Sequence, residues 1–365
     1  MSLPGGHFSA LLATSPAAGE RIPVTVLTGF LGSGKTTLLN RLLALPDLHG
    51  TAVIVNEFGE VGIDHDLIAS TTEDTVLLAN GCLCCAVRGD LVEALVRLST
   101  RNEPALRQVL IETSGLADPG PILRTLMGDA AVRERFALAG VACTVDAILG
   151  SGTLEREPEA ARQVAVADAL FLTKLDLLNG VPPAALLERL AALNPQAACH
   201  ADPVMQPHAL RGLMRAASCS APCSDSRADF GTAPAEQAPF YRLAARPANA
   251  TSDAPPTHRD DIRSFVIVRD EPLSREGFAH WLDTVIALRG TDLLRVKGIV
   301  HLAEHPKQPM VIHGVQHLFQ PPQLLPAWPG ADRRTRIVFI TRGIDAQALN
   351  ESLSVLARRR TRTSR

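Results

Sequence analysis

Gly29-Phe30-Leu31-Gly32-Ser33-Gly34-Lys35-Thr36 fills every position of the phosphate-binding pattern G-x-x-x-x-G-K-[ST]. Its surroundings constrain the fold as strongly as the motif does. Ile22 to Leu27 is a short β-branched run suited to a buried strand, and Leu38, Leu39, Leu42 and Leu43 recur at helical spacing after the loop. A strand, a glycine loop and a helix in that order bring successive backbone N–H groups and the positive helix end around phosphates. Gly29, Gly32, Ser33 and Gly34 form the cradle, Lys35 reaches the β/γ oxygens, the Thr36 hydroxyl can ligate Mg²⁺, and Thr37 continues the first helical turn. The motif predicts a nucleoside triphosphate as ligand.

The 365-residue chain is long for one compact domain, and 36 basic against 38 acidic residues show no bias toward a polyanion such as nucleic acid. No apolar run approaches the roughly 20 residues that span a bilayer, and the first twenty residues read as a flexible tail rather than a leader. Seven cysteines, an odd number with three of them in four positions, fit a reducing compartment and metal chemistry better than a disulfide framework. The expected location is the cytoplasm, without membrane attachment.

Strand-like runs at Thr51–Asn56, Thr75–Leu78, Gln108–Glu112, Val141–Val145 and Ala169–Thr173 alternate with helical stretches. That rhythm predicts an α/β domain over 21–200, mainly a parallel sheet with helices on both faces. From 201 to 261 the composition shifts to Pro, Ala, Ser, Asp and Arg, as in a linker or mobile loop. Strands near 264–269, 293–302, 310–319 and 337–341, with a helix over 275–288, predict a smaller C-terminal α+β domain over 262–345. A helix and basic tail occupy 346–365.

Three further strand ends carry chemistry. Thr173-Lys174-Leu175-Asp176 follows an apolar run, so Asp176 stands where ligands of open α/β sheets bind. A carboxylate there accepts hydrogen bonds from guanine N1–H and the 2-amino group, whereas adenine would present a lone pair to it. The common base-reading pattern is N-K-x-D, and Thr173 departs from it. Ile111-Glu112-Thr113-Ser114-Gly115 places a carboxylate that could hold a Mg²⁺-bound water and a glycine amide that could sense the terminal phosphate. Asn56-Glu57-Phe58-Gly59-Glu60, followed by Asp64 and His65, adds acidic groups at the same edge.

Gly81-Cys82-Leu83-Cys84-Cys85 packs three thiols into four residues after a strand. A borderline-soft cation such as Zn²⁺ suits that donor set, with Glu57, Asp64, His65 or water as a fourth ligand. A redox pair or buried thiols are the other readings. His301, His313 and His317, and Cys199, His200, His208, Cys219 and Cys223, read as packing or exposed side chains rather than metal sites. Cys143 reads as core.

Taken in order, G-x-x-G-x-G-K-T, N-E-F-G with a following I-D, G-C-x-C-C, E-T-S-G and a late K-x-D resemble the CobW-type GTPase metallochaperones, strongly over residues 22–178 and again over Ser264–Gly343. The resemblance implies a P-loop NTPase of the SIMIBI type, GTP hydrolysis, and zinc or cobalt at the cysteine motif for delivery to a client metalloprotein. It assigns phosphate and Mg²⁺ to Lys35 and Thr36, the first switch to Glu57, the transferred metal to Cys82, Cys84 and Cys85, a Walker-B-like turn to Glu112 and Gly115, and guanine to Asp176 with Lys174. Lys35, Glu57 and Glu112 are the catalytic candidates, and a homo-oligomer is compatible with this reading. The alternatives are a nucleotide-regulated zinc-sensing binding protein and a P-loop small-molecule kinase with structural cysteines.

Overall fold

The computed structural model describes residues 7–13, 21–45, 48, 50–56, 75–78, 86–100, 106–215 and 262–358. The chain divides into two compact units, one built from 19–191 with 196–243, the other from 1–18, 192–195 and 244–365.

Seven strands form the sheet of the first unit: β1 (Ile22–Gly29), β2 (Thr51–Asn56), β3 (Thr75–Leu78), β4 (Gln108–Thr113), β5 (Phe136–Asp146), β6 (Ala169–Thr173) and β7 (Ala198–His200). Their spatial order is β3-β2-β4-β1-β5-β6-β7, and every neighbouring pair is parallel. Residues 22–29 and 108–113 are buried almost without interruption because a parallel sheet is covered on both faces. β1 lies between β4 and β5, so the chain leaves β1 toward one side of the sheet and crosses from β4 to β5 on the other. At such a reversal the connecting loops part, and a crevice opens at the carboxyl ends of the strands.

Eight helices belong to the described part of this sequence range: α2 (Lys35–Leu43), α3 (Ala86–Ser99), α4 (Gly120–Gly128), α5 (Ala130–Arg135), α6 (Gly150–Arg156), α7 (Pro158–Val166), α8 (Ala184–Leu193) and α9 (Gln206–Arg215). Leu38, Leu39 and Leu42 of α2 join Leu210, Leu213 and Met214 of α9 over the sheet face that carries Leu27, Val53, Leu110, Ala142 and Phe171. The α9 segment begins inside the stretch whose composition predicts a linker. Its apolar positions are spaced for one helix face, and Gln206 Nε2 donates to the Leu172 carbonyl at 2.6 Å and the His200 carbonyl at 3.1 Å, fastening its first turn to the sheet. The fifth strand is also longer than the predicted Val141–Val145, because α5 ends directly at Phe136 and the strand starts there.

The second unit is an antiparallel sheet with helices on it: β8 (Ile262–Arg269), α10 (Arg275–Arg289), β9 (Leu293–Val300), β10 (Met310–Val315), β11 (Leu318–Phe319), β12 (Gln323–Leu324), β13 (Thr335–Arg342) and α11 (Ala346–Arg358). The strand order is β11-β10-β9-β13-β8, with β12 pairing to β10. Ser274 caps α10 by accepting the Gly277 amide, and Phe278, Trp281, Leu282, Val285 and Ile286 recur three and four residues apart along the face that the helix buries.

The same core contains Phe8. Where the sequence predicts a flexible tail through residue 20, residues 7–13 form a helix, α1 (His7–Ala13), within this second unit. Phe8 is fully buried and meets the rings of Phe278 and Phe319 edge-on, at centroid distances of 5.9 and 5.6 Å. Asp283 of α10 accepts the Phe8 amide at 2.8 Å and the Ser9 amide at 3.2 Å, and also receives the Ser9 hydroxyl. Arg275 donates to the Leu12 carbonyl at 2.6 Å. A seven-residue helix is too short to persist alone in water, so these contacts are the reason it exists.

Candidate functional site

The phosphate loop joins β1 to α2 at the crevice. Gly29, Gly32 and Gly34 all have positive φ, at 144°, 68° and 90°. Gly29 also admits no side chain for lack of room, since a Cβ there would lie 2.2 Å from Thr144 Oγ1 and 2.7 Å from Ser33 Oγ. Gly34 stands at the N-cap of α2 and supplies no side-chain cap, which leaves the first-turn amides of Lys35, Thr36 and Thr37 as anion donors. Lys35 Nζ donates to the carbonyls of Gly29 at 2.9 Å and Phe30 at 3.3 Å, so the ammonium is held over the loop it belongs to.

Hydroxyls at four strand ends tie this loop to the sheet. Ser33 Oγ is 2.7 Å from Thr144 Oγ1 of β5, Thr113 Oγ1 of β4 donates to Thr28 Oγ1 of β1 at 2.9 Å, and Thr173 Oγ1 of β6 donates to the Ser33 carbonyl at 2.7 Å. Threonine satisfies the β-branched preference of a strand and still carries a donor, so the sheet can end in polar atoms without losing its packing. Thr173 replaces the expected asparagine and keeps a direct bond to the phosphate loop.

Glu112 is buried at the end of β4, and Thr36 Oγ1 donates to its Oε1 at 3.0 Å. A hydroxyl and a carboxylate thus converge from the start of α2 and the end of β4. Two hard oxygen donors are the set that Mg²⁺ takes from a protein when phosphates and waters complete its octahedron, and these residues fit that ion.

Gly115 follows two residues after β4. A Cβ at this position would lie 2.7 Å from the Leu31 nitrogen and 2.8 Å from its Cα, so the turn after β4 rests directly on the phosphate loop. Gln163 of α7, fully buried, holds that turn by donating from Nε2 to the carbonyls of Gly115 at 3.1 Å and Ala117 at 3.0 Å. Backbone cannot yield as a flexible side chain can. Gly115→Ala is therefore expected to lower the stability of the first unit by about 1–3 kcal/mol, measured by urea unfolding followed by circular dichroism. A loss below about 0.5 kcal/mol would mean that the turn does not bear on Leu31.

Asp176 lies exposed in the first turn of a 3-10 helix, Leu175–Leu178, and Lys174 precedes it in the left-handed region with φ 59°. Lys174 Nζ donates to Asp146 Oδ2 at 2.6 Å, and Asp146 Oδ1 accepts the amides of Ile148 at 2.8 Å and Leu149 at 3.0 Å. Burial pushes the Asp146 carboxyl up, but the Lys174 hydrogen bond and charge together with the two amides outweigh it, and its pKa lies below the ordinary aspartate value.

The crevice thus gathers Gly29, Gly32, Ser33, Gly34, Lys35, Thr36, Thr37, Glu112, Gly115, Lys174 and Asp176 at the carboxyl edge of one sheet. Glu57, Asp64, His65, Cys82, Cys84, Cys85, Cys219 and Cys223 lie outside the described residues. Cys143 is core, its thiol pushed up to about 12 by burial. His313 lies on β10, but the strand stops at Val315 and Gln316 turns the chain with φ 55°, so His317 sits in a turn instead of on the same strand face. Among the described residues no group of three or more His, Cys, Asp or Glu could hold a metal, and no helix is long and apolar enough to cross a membrane. Sequence reasoning passed over Thr144, Asp146 and Gln163. Of these only Asp146 carried a readable signal, an acidic residue closing an apolar run.

A family model described as CobW/HypB/UreG, nucleotide-binding domain, matches residues 23–201, and one described as cobalamin synthesis protein cobW C-terminal domain matches residues 262–357. The zinc chaperone YjiA of Escherichia coli (strain K12) is 32% identical over 327 residues, which cover 87% of this chain and 93% of that protein. Zinc-regulated GTPase metalloprotein activator 1 of Schizosaccharomyces pombe is 33% identical over 194 residues, covering 50% of this chain and 46% of its own length. The crystal structure of Zn(II)-bound YjiA GTPase from E. coli matches with a TM-score of 0.63 at 26% identity, over 92% of this chain and 99% of that one. With both units matched in order, the chain belongs to the CobW/HypB/UreG family and carries that family's nucleotide-binding domain followed by a CobW C-terminal domain.

Proposed function

We propose that this protein is a GTPase that acts as a zinc chaperone, binding the metal at Cys82, Cys84 and Cys85 with Glu57 and coupling its loading or release for a client metalloprotein to the nucleotide state. The observation that carries the nucleotide half is the convergence of Thr36 and Glu112, 3.0 Å apart, beside the glycine loop. The metal half draws on the cysteine spacing and on the name of a relative similar over nearly its whole length.

In this reading the amides of the Gly29–Thr37 segment bind the phosphates and Lys35 brings positive charge to them. Thr36 and Glu112 would hold Mg²⁺, which when bound offsets phosphate charge. Asp176 accepts the N1–H and 2-amino group of guanine, and Gly115, pressed against Leu31 and held by Gln163, answers to the terminal phosphate. Glu57 and the cysteines follow β2 and β3, whose carboxyl ends share the sheet edge with the nucleotide loop. A change at the phosphate can therefore bias metal affinity if these segments differ between nucleotide states. Zinc suits thiolate donors, and cobalt is the competing metal.

The test is a zinc titration against a chromophoric chelator in Mg²⁺, with a non-hydrolysable GTP analogue or with GDP, on the wild type and on a Cys82→Ala/Cys84→Ala/Cys85→Ala variant. One equivalent of zinc should bind in a cysteine-dependent manner, with affinities differing roughly 5- to 150-fold between nucleotides. Equal affinity in both states would remove the coupling, and undiminished binding by the triple variant would remove the cysteine site. Transfer to a client apo-enzyme separates a chaperone from a zinc sensor, which would retain its metal.

A further inference from the structure

The Asp146 carboxylate is fully engaged beside the turn that carries Asp176. One oxygen is taken by the Ile148 and Leu149 amides and the other by Lys174 Nζ at 2.6 Å. Lys174 is the residue in the left-handed conformation, φ 59° and ψ 24°, from which the Leu175–Leu178 turn starts. A residue with a Cβ does not rest in that region without local compensation. The Ala147 amide donates to the Thr173 carbonyl at 3.1 Å and Thr173 Oγ1 to the Ser33 carbonyl at 2.7 Å, so the backbone on either side of the Asp146–Lys174 pair is fixed as well. Asp176, in the turn that follows, is exposed.

We propose that Asp146 is a positioning residue for guanine selectivity: it holds the Lys174 ammonium, and thereby locks the turn that aims the Asp176 carboxylate at the Watson–Crick edge of the base. The proposal rests on the reading of Asp176 as the base acceptor. A reading group must be held to within about half an ångström by its supporting shell, and the Asp146–Lys174 bond fastens the residue from which this turn starts. The Asp146–Lys174 pair therefore acts on discrimination between bases, whereas phosphate affinity comes from the glycine loop and Lys35.

Asp146→Asn isolates the effect. The asparagine carbonyl can still accept the Ile148 and Leu149 amides, but its NH₂ group then faces the Lys174 ammonium, donor against donor, and the bond is lost. GTP, ITP and XTP are compared by displacement of a fluorescent guanine nucleotide; ITP lacks the 2-amino group and XTP carries an oxygen there. The GTP-to-ITP affinity ratio should fall about five- to tenfold, near the net worth of one hydrogen bond, with ITP, which has only its N1–H to lose, weakened less than GTP. Lys174→Met should match it, and the double variant should go no further because the two residues act as one unit. Should Asp146→Asn fail to fold, Asp146→Ser carries the test, since its hydroxyl can accept the backbone amides and offers Lys174 no charge. An unchanged ratio, or equal losses for GTP and ITP, would overturn the proposal and leave Asp146 a structural contact. Asp176→Asn is the separate check on the base reading: it should turn preference toward XTP, since an amide NH₂ can donate to the 2-oxygen. If it leaves the GTP-to-ITP ratio intact, the base reading fails and the role of Asp146 falls with it.

Discussion

Lys35→Ala should lower the rate of GTP hydrolysis by about 10²–10³-fold while the protein stays folded. The structure fastens the Lys35 ammonium to the phosphate loop itself, through the carbonyls of Gly29 and Phe30. Its removal takes away charge where phosphate charge shifts during hydrolysis, and two carbonyls at a partly exposed loop can turn to water instead. Lys35→Arg should not restore the rate, because a planar fork of donors cannot occupy the place of a compact ammonium between two carbonyls of one short loop. Phosphate release at saturating GTP, with thermal unfolding by circular dichroism as the control for folding, gives the answer. Activity within about tenfold of wild type would take Lys35 out of the catalytic set.

Phe8→Ala should destabilise the second unit by about 3–5 kcal/mol, the usual cost of emptying a phenylalanine site in a packed core. Phe8 is wholly enclosed, with two edge-on aromatic neighbours, Phe278 and Phe319, that no other residue of α1 can replace. Asp283→Ala should add to the damage by leaving the Phe8 and Ser9 amides without their acceptor, a loss of about 1 kcal/mol. Both tryptophans, Trp281 and Trp328, belong to the second unit, so their fluorescence during chemical unfolding reports on that unit alone. An unfolding midpoint unchanged by Phe8→Ala would mean that α1 contributes nothing to the core.

The phosphate loop could be read in the sequence because steric demands write themselves into glycine spacing, and Glu112 because an acidic residue closing an apolar strand is conspicuous. Asp146 closes the run Ala142-Cys143-Thr144-Val145 in the same manner, but apolar Ala147, Ile148 and Leu149 follow it, and no glycine or second acid marks the turn as a site. Gln163 was beyond reach: a glutamine in a helix looks like surface until the helix is known to press against the turn at Gly115. Gly29 shows the same limit, since the Thr144 hydroxyl that crowds it comes from a strand whose pairing is set by the whole sheet. The two short helices α1 and α9 escaped for another reason. Composition averaged over a long Pro- and Ala-rich stretch hides a handful of apolar residues, and only Leu210, Leu213 and Met214 meeting the sheet, or Phe8 meeting Phe278, reveals that they share a face. The cysteine motif is the reverse case: it is the most specific signal in the sequence, and the structure describes none of its three thiols.

The Phe8 contact also sets an order of events in biosynthesis. Its amide bonds to Asp283, 275 residues further on, and at about 5–20 residues per second a ribosome needs roughly 14 to 55 seconds to supply that partner. The nucleotide-binding strands are all made within this interval and can pair as they emerge, whereas α1 has to wait, its phenylalanine and leucines in water, until the second unit appears. Loop-closure entropy makes so distant a contact slow to form even then. The residues of α1 are therefore among the last to find their place, and a nascent chain halted before residue 319 would display an apolar segment that the folded protein conceals.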